Sequence, residues 1–302
     1  MNEREARKLR EQNRRSWEAV VGAHESHRGD LAGYLRRGGS TLFPEELRLL
    51  GDVPGRRLAH LMCNAGGDTL SLARLGAEVT GVDASERAVE RARRLSHESG
   101  ITARFVRSDI YDWLEQRDEE PGFEIAYASY GVVCWLPDLV RWASGLYRRL
   151  DPGGHFVLVE FHPAAMMLDA DWRLANDYYS GGEPLAASGV GDYVGESGGG
   201  LTPAGYEEGI RGFENPEPCY LFRWGLGEVV SALCGAGLIL RKAGHCHSQG
   251  PQGERHARQV QGNARHRSNS SAGMIGKNAP RDVTPNHSRP SCSRTSPMST
   301  SR

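Results

Sequence analysis

Three polar clusters in this chain each follow a short apolar run: Cys63-Asn64-Ala65-Gly66-Gly67-Asp68, then Asp83 with Ala84, then Asp109 with Ile110. In a wound α/β sheet, ligands bind beyond the carboxyl ends of the strands, near the point where strand order reverses. An acid at such an end can accept hydrogen bonds from both hydroxyls of a ribose, because one carboxylate offers several lone pairs. Gly66 lets backbone come close to a ligand, and the helix after it offers free N–H groups to an anion. From Gly66 to Asp83 is 17 residues, near the roughly 20 of a dinucleotide fold. Order and spacing together fit an adenosine-type ligand lying across the strand ends. Each cluster also has a plain structural reading. Asp83 can cap a helix starting near Ser85, Asp109 can be a turn acid, and Gly66-Gly67 can be only the turn that joins strand to helix.

The elements that must hold these residues follow from periodicity. Residues 58–63 read as a buried strand, 69–75 as a helix with Asp68 at its N-cap, and 77–82 as a second strand. A helix over 85–99 turns Ala88, Val89, Ala92 and Leu95 inward. Strands follow at 103–106, 123–129 and 155–161, with a helix over 136–150 and the turn Asp151-Pro152-Gly153-Gly154. Alternating strands and helices imply a doubly wound, mostly parallel sheet with helices on both faces. Ahead of it, residues 2–22 read as an amphipathic helix carrying Ala6, Leu9, Trp17 and Val20 on one stripe. Residues 164–224 hold nine of the 23 aromatics among many glycines, which predicts a packed lid inserted after strand five. A helix marked by Leu226, Val229, Val230 and Leu233 and a short strand at 238–240 close the pattern.

The segments LAHLMCNAGGDTLSLARLGAEVTGVDAS, FVRSDIYD, YASYGVVCWLPDL and LDPGGHFVLVEFHP resemble, in order and spacing, the successive motifs of class I S-adenosylmethionine-dependent methyltransferases. The likeness is strongest to a group of bacterial small-molecule methyltransferases with a similar CWLPDL segment and a GLGEVVSAL-type helix. It implies a Rossmann-like methyltransferase fold and S-adenosyl-L-methionine as cofactor. Matched motif by motif, Cys63, Asn64 and Gly66 would face the methionine part, and Asp83 with Ala84 the ribose. Asp109 and Ile110 would flank the adenine, and Ser129 and Tyr130 would stand near the sulfonium. Trp17, Tyr34 and Tyr130 are candidates to line that cation. His162, after strand five, is the candidate general base, with Glu160 two residues before it; His24 and His27 belong to a segment able to close over the cofactor. Two departures stand out. The family's first motif is an acid followed by three alternating glycines; here His60 takes the acid's place and Met62 and Asn64 the first two glycine places. The family also supplies a final antiparallel strand, for which the sequence after Leu240 has no apolar run of four residues, so that strand is expected to be missing.

Composition divides the chain. Residues 245–302 carry nine Lys or Arg against Glu254 and Asp282 and no aromatic residue, so a basic, disordered tail is expected over 244–302. The rest is then near −8, which argues against broad nucleic-acid binding. The expected organisation is an N-terminal helical lid over 1–41, a catalytic domain over 42–243 with its substrate-capping insertion, and that tail. Six scattered cysteines and no apolar N-terminal region predict a soluble cytoplasmic protein with reduced thiols. No spaced ligand set predicts a metal; His245-Cys246-His247 lacks further partners. A nicotinamide dehydrogenase wants G-x-G-x-x-G, which Asn64 to Thr69 does not supply. A nucleic-acid methyltransferase often carries an Asn- or Asp-Pro-Pro-aromatic element after strand four, where Ser129-Tyr130-Gly131 stands. The reading is methyl transfer to a small-molecule acceptor; the alternatives are an inactive methyltransferase-like binding protein or another Rossmann-fold enzyme.

Overall fold

The computed structural model describes residues 1–116, 121–169, 171–247 and 269–277. The chain opens with α1 (Glu3–Ser26), held at its start by a capping box. Asn2 accepts from the Glu5 amide at 3.0 Å and the Glu5 carboxylate accepts from the Asn2 amide at 3.3 Å. Two short helices follow, α2 (Leu31–Arg36) and α3 (Pro44–Leu50); Pro44 starts α3 where its missing N–H costs nothing.

The sheet then builds in alternation: β1 (Arg57–Leu61), α4 (Gly67–Arg74), β2 (Glu78–Asp83), α5 (Glu86–Ser99), β3 (Arg104–Arg107), α6 (Ile110–Glu115), β4 (Phe123–Ser129), α7 (Leu139–Arg149) and β5 (Leu150–Phe161). After β5 come a small pair of antiparallel strands, β6 (Leu185–Ala187) and β7 (Cys219–Leu221), with α8 (Tyr193–Glu196) between them. Then follow α9 (Leu226–Gly235), β8 (Ile239–His247) and β9 (Asn269–Gly276). The seven-stranded sheet runs β3-β2-β1-β4-β5-β9-β8. Strands β1 to β5 pair in parallel, and β9 lies antiparallel between β5 and β8. Strand order therefore reverses between β1 and β4, which places a crevice beyond Leu61 and Ser129.

Period-two alternation feeds both faces. On β4, Ala126 and Ala128 join Phe156, Trp142, Leu146 and Leu233 beneath α6, α7 and α9, while Ile125 and Tyr127 join Leu58, Leu49, Leu72 and Val157 on the other side. With both faces covered, the middles of β4 (125–128) and β5 (156–159) read as unbroken apolar runs. The inserted segment packs onto α1: Val190, Tyr193, Val194 and Cys219 form one buried cluster with Val20 and Ala23.

The missing last strand is a correction. β9 is that strand, antiparallel to β5 over seven residue pairs from His155↔Gly276 to Phe161↔Ser270. Its composition hid it. Ile275 is buried among Phe156, Leu146 and Leu238, while its neighbour Met274 packs on the opposite side with Tyr127 and Val157. With ladders on both edges, two apolar side chains suffice where a lone strand would need more. Lys277 then donates to the carbonyls of Tyr147 at 3.1 Å and Leu150 at 2.9 Å, satisfying acceptors left over at the end of α7. Residues 244–247 and 269–276 of the expected tail are thus part of the sheet, with Lys277 following; for the remainder, that expectation lies outside the described residues. Among the described residues no helix is long and apolar enough to cross a membrane, and no group of three or more His, Cys, Asp or Glu is placed to hold a metal ion.

Candidate active site

A cavity of about 340 Å³ opens at the β1/β4 crevice, within the size range of small-molecule sites. Its floor is the loop after β1, Met62 to Asp68, with Asp83 to Ser85, Ser108 to Ile110 and Ser129 to Val132 from the next strand ends. All nine residues matched to the cofactor line it: Cys63, Asn64, Gly66, Asp83, Ala84, Asp109, Ile110, Ser129 and Tyr130. The roof is α1, whose Arg10, Asn13, Arg14, Trp17, Val21 and Glu25 recur at helical spacing on the cavity side. Arg28, Tyr34 and the 40–43 stretch close one flank; Tyr193, Gly200, Leu201 and Pro203 of the insertion close another.

Asp83 ends β2 beside β1. Its Oδ2 accepts the Asn64 amide at 2.8 Å and its Oδ1 the Ser85 amide at 2.9 Å. The helix cap of α5 itself is Ser85, whose Oγ accepts from Ala88 at 3.1 Å, so the carboxylate is not used up as a cap. Each oxygen keeps a lone pair for the cavity it lines, which suits two adjacent hydroxyls. Burial pushes the Asp83 carboxyl up from its ordinary value, while the backbone hydrogen bonds pull it back.

The irregular first motif takes up left-handed backbone at two positions that are not glycine. Met62 (φ 55°) and Asn64 (φ 48°) both occupy the left-handed region. Asn tolerates that region; a Met there holds strain of order 1–2 kcal/mol. Asn64 Oδ1 accepts from the Ala65 amide at 2.7 Å and Nδ2 reaches the Tyr193 hydroxyl at 3.3 Å, tying the loop to the insertion. Gly66 (φ 80°) is required twice over: a Cβ there would lie 2.7 Å from Ala92 Cβ and 2.9 Å from Phe105. It is also the N-cap of α4, which corrects the placing of that cap at Asp68. Asp68, in the first turn, instead binds the Thr41 hydroxyl. His60 is buried, its Nδ1 2.8 Å from Thr69 Oγ1 and its ring against Tyr127, so it links β1 to α4 rather than facing the ligand with a charge.

At the far end, Asp109 caps α6, its Oδ1 accepting from the Tyr111 amide at 2.9 Å, and its Oδ2 accepts from Arg10 Nε at 2.9 Å. After β4, Tyr130 turns the chain with φ 45°, backbone strain of the kind found at ligand clamps. Glu160 holds that turn: its carboxylate accepts from the amides of Gly131 (2.6 Å), Val132 (2.8 Å) and Val133 (2.9 Å). It is therefore a fastener of the β4 loop. His162 does not line the cavity; its Nδ1 accepts the Ala164 amide at 3.1 Å at the start of a short 3-10 turn, because β5 carries it past the crevice.

His24 and His27 are buried at the end of α1. His27 Nδ1 accepts from the Gly209 amide at 3.2 Å, so its Nε2 carries the proton and donates to Asp192 at 2.8 Å. They fasten α1 to the insertion. Trp17, Tyr34 and Tyr130 do reach the cavity. What sequence reasoning missed is the charged set at the cavity, Arg10, Arg14 and Glu25 of the roof with Arg28 of its flank; helical spacing with Trp17 marks the face the roof residues share, though not which arginine is buried.

Residues 59–154 match the family model of a methyltransferase domain. Methyltransferase phqN of Penicillium fellutanum is 34% identical over 109 residues, covering 35% of this chain and 32% of that protein. The 23S rRNA (uracil(1939)-C(5))-methyltransferase RlmD of Nitrosospira multiformis is 29% identical over 150 residues, 48% of this chain and 32% of that one. The chain thus matches about a third of the length of these two relatives. In structure it is similar to an S-adenosylmethionine dependent methyltransferase from Mesorhizobium loti, with a TM-score of 0.51 and 20% identity over 80% of this chain and 99% of that chain. Residues 59–154 thus match a methyltransferase domain, and the sheet built around them shares its fold with a solved S-adenosylmethionine dependent methyltransferase.

Proposed function

We propose that the chain transfers a methyl group from S-adenosylmethionine to a small-molecule acceptor held in the same roofed cavity. The carrying observation is enclosure: strand-end acids and α1 with the 190–203 insertion face one another across a single 340 Å³ space. The cofactor, when bound, supplies an already activated methyl group. The protein's share is to hold and align. Asp83 would take the ribose hydroxyls. The loop amides after Asn64 and the start of α4 would face the carboxylate, and the strained Tyr130 turn, fixed by Glu160, would border the acceptor. Alignment of this kind contributes up to about 7–11 kcal/mol in ideal systems. Closure by α1 keeps water from the reacting centre, and the faces of Trp17 and Tyr130 suit a cation.

An RNA acceptor, as the name of one relative states for that protein, is the second reading. The body's charge near −8 opposes a polyanion, and α1 lies across the cavity's strand-end floor. The test has two arms. S-adenosylhomocysteine should raise the unfolding temperature of the full chain. Labelled methyl groups should then pass to a low-molecular-weight metabolite fraction and not to total RNA. Label in RNA alone sinks the small-molecule reading; absence of any thermal shift sinks the cofactor site.

A further inference from the structure

Arg10 lies on the cavity stripe of α1 with a side chain only 6% exposed. Two of its nitrogens are satisfied: Nε donates to Asp109 at 2.9 Å and Nη2 to Glu3 at 3.0 Å. The guanidinium sits 4.7 Å over the Tyr111 ring, whose other near cation, Arg141, lies at 5.0 Å and also binds Glu3. The group is therefore held in one orientation before any ligand arrives. Its third nitrogen, Nη1, is buried and has no hydrogen-bond partner among the described residues. A buried charged donor left unmet is costly, and such exceptions in a packed structure call for an acceptor from elsewhere. Here the residue lines the cavity at the end where Asp109 and Ile110 stand.

We propose that Arg10 completes the base subsite of this cavity: Nη1 donates to a ring nitrogen of the cofactor's adenine, so that seating of α1 and cofactor binding are one event. This rests on the S-adenosyl reading of the cavity given above. The chemistry matches on both sides. Adenine's unsubstituted ring nitrogens accept and its exocyclic amine donates; Arg10 offers a donor and Asp109, tied to it, an acceptor with lone pairs to spare. Lysine would keep the charge beside Asp109 but lose the planar fork that serves Asp109, Glu3 and the base at once.

Calorimetry on the full chain tests it, with S-adenosylhomocysteine and its 1-deaza, 3-deaza and 7-deaza analogues as probes. Wild type should bind the parent and lose about tenfold or more for one of the three analogues. Arg10→Lys and Arg10→Met should each bind the parent about tenfold more weakly and lose the discrimination against that analogue. If the variants weaken all four ligands equally and still discriminate, Arg10 only seats α1 and the proposal is overturned. Variants that bind like wild type, or a wild type indifferent to every analogue, overturn it as well. A wild type that binds none of the four refutes the cofactor reading itself, separately from Arg10. Arg10→Lys keeps a cation for Glu3 and Asp109, so loss of fold in Arg10→Met alone leaves the comparison intact.

Discussion

At the scale of single residues, the site works by division of labour around one carboxylate. Asp83 uses one lone pair on each oxygen to fix the Asn64 and Ser85 amides, so the loop after β1 and the start of α5 are set by a group that lines the cavity. Asp83→Asn keeps size but turns an NH2 toward one of those amides and removes the charge. Affinity for S-adenosylhomocysteine should fall about 10- to 100-fold, read by calorimetry on protein whose circular dichroism is unchanged. Wild-type affinity in that variant contradicts the ribose assignment. The place of Asp83 at the cavity was legible because an acid that closes an apolar run marks a strand end. Arg10 was not, since nothing in an Arg-rich helix distinguishes the one arginine that is buried from its solvated neighbours.

At the scale of elements, the most instructive strand is β9. Ile275 is 3% exposed within the core cluster under α7 and α9. Ile275→Ala should cost about 2–5 kcal/mol of unfolding free energy, as large-to-small changes in cores do. A midpoint in urea equal to that of wild type would show that β9 contributes nothing to the core. The parallel strands β4 and β5 were legible because burial on both faces leaves continuous apolar runs at 125–128 and 156–159, and β1 and β2 because short, mostly apolar stretches end in polar turns. β9 was not: its side chains include two glycines, Gly273 and Gly276, and much of its stability is backbone pairing, which carries no side-chain signature. The short helices α2, α3 and α6 escaped for another reason. Each spans six or seven residues, fewer than two full periods, and their caps decide their ends more than their faces do.

At the scale of the whole molecule, burial of ionisable groups couples folding to pH. His60 is pushed down from 6.5 to about 3 by burial alone. Between those values the unfolded chain binds a proton that the folded one refuses, so acidification favours unfolding; above 6.5 the contribution is fully kept. His24, likewise pushed down to about 4 chiefly by burial, acts in the same sense. Glu46, Asp68, Asp83 and Glu160 are pushed up by burial and act in the opposite sense. The clean reading is therefore a difference. His60→Gln should be less acid-sensitive than wild type by up to about 1.4 kcal/mol per pH unit below 6.5, measured from urea midpoints at several pH values. Parallel pH profiles for the two proteins would show that His60 gains its proton without unfolding.

One further consequence belongs to the route by which the sheet is filled. Among the described residues β8 pairs with β9 alone, and β9 is the last of these seven strands to leave the ribosome. Until residue 276 has emerged, β5 ends the growing sheet and β8 waits beside it unpaired. At about 5–20 residues per second, the interval from the end of β8 to the end of β9 lasts one to several seconds, during which two open ribbons of backbone are presented to solvent or to a chaperone. Synthesis halted in that window would release a chain with its cavity floor assembled and its sheet unsealed.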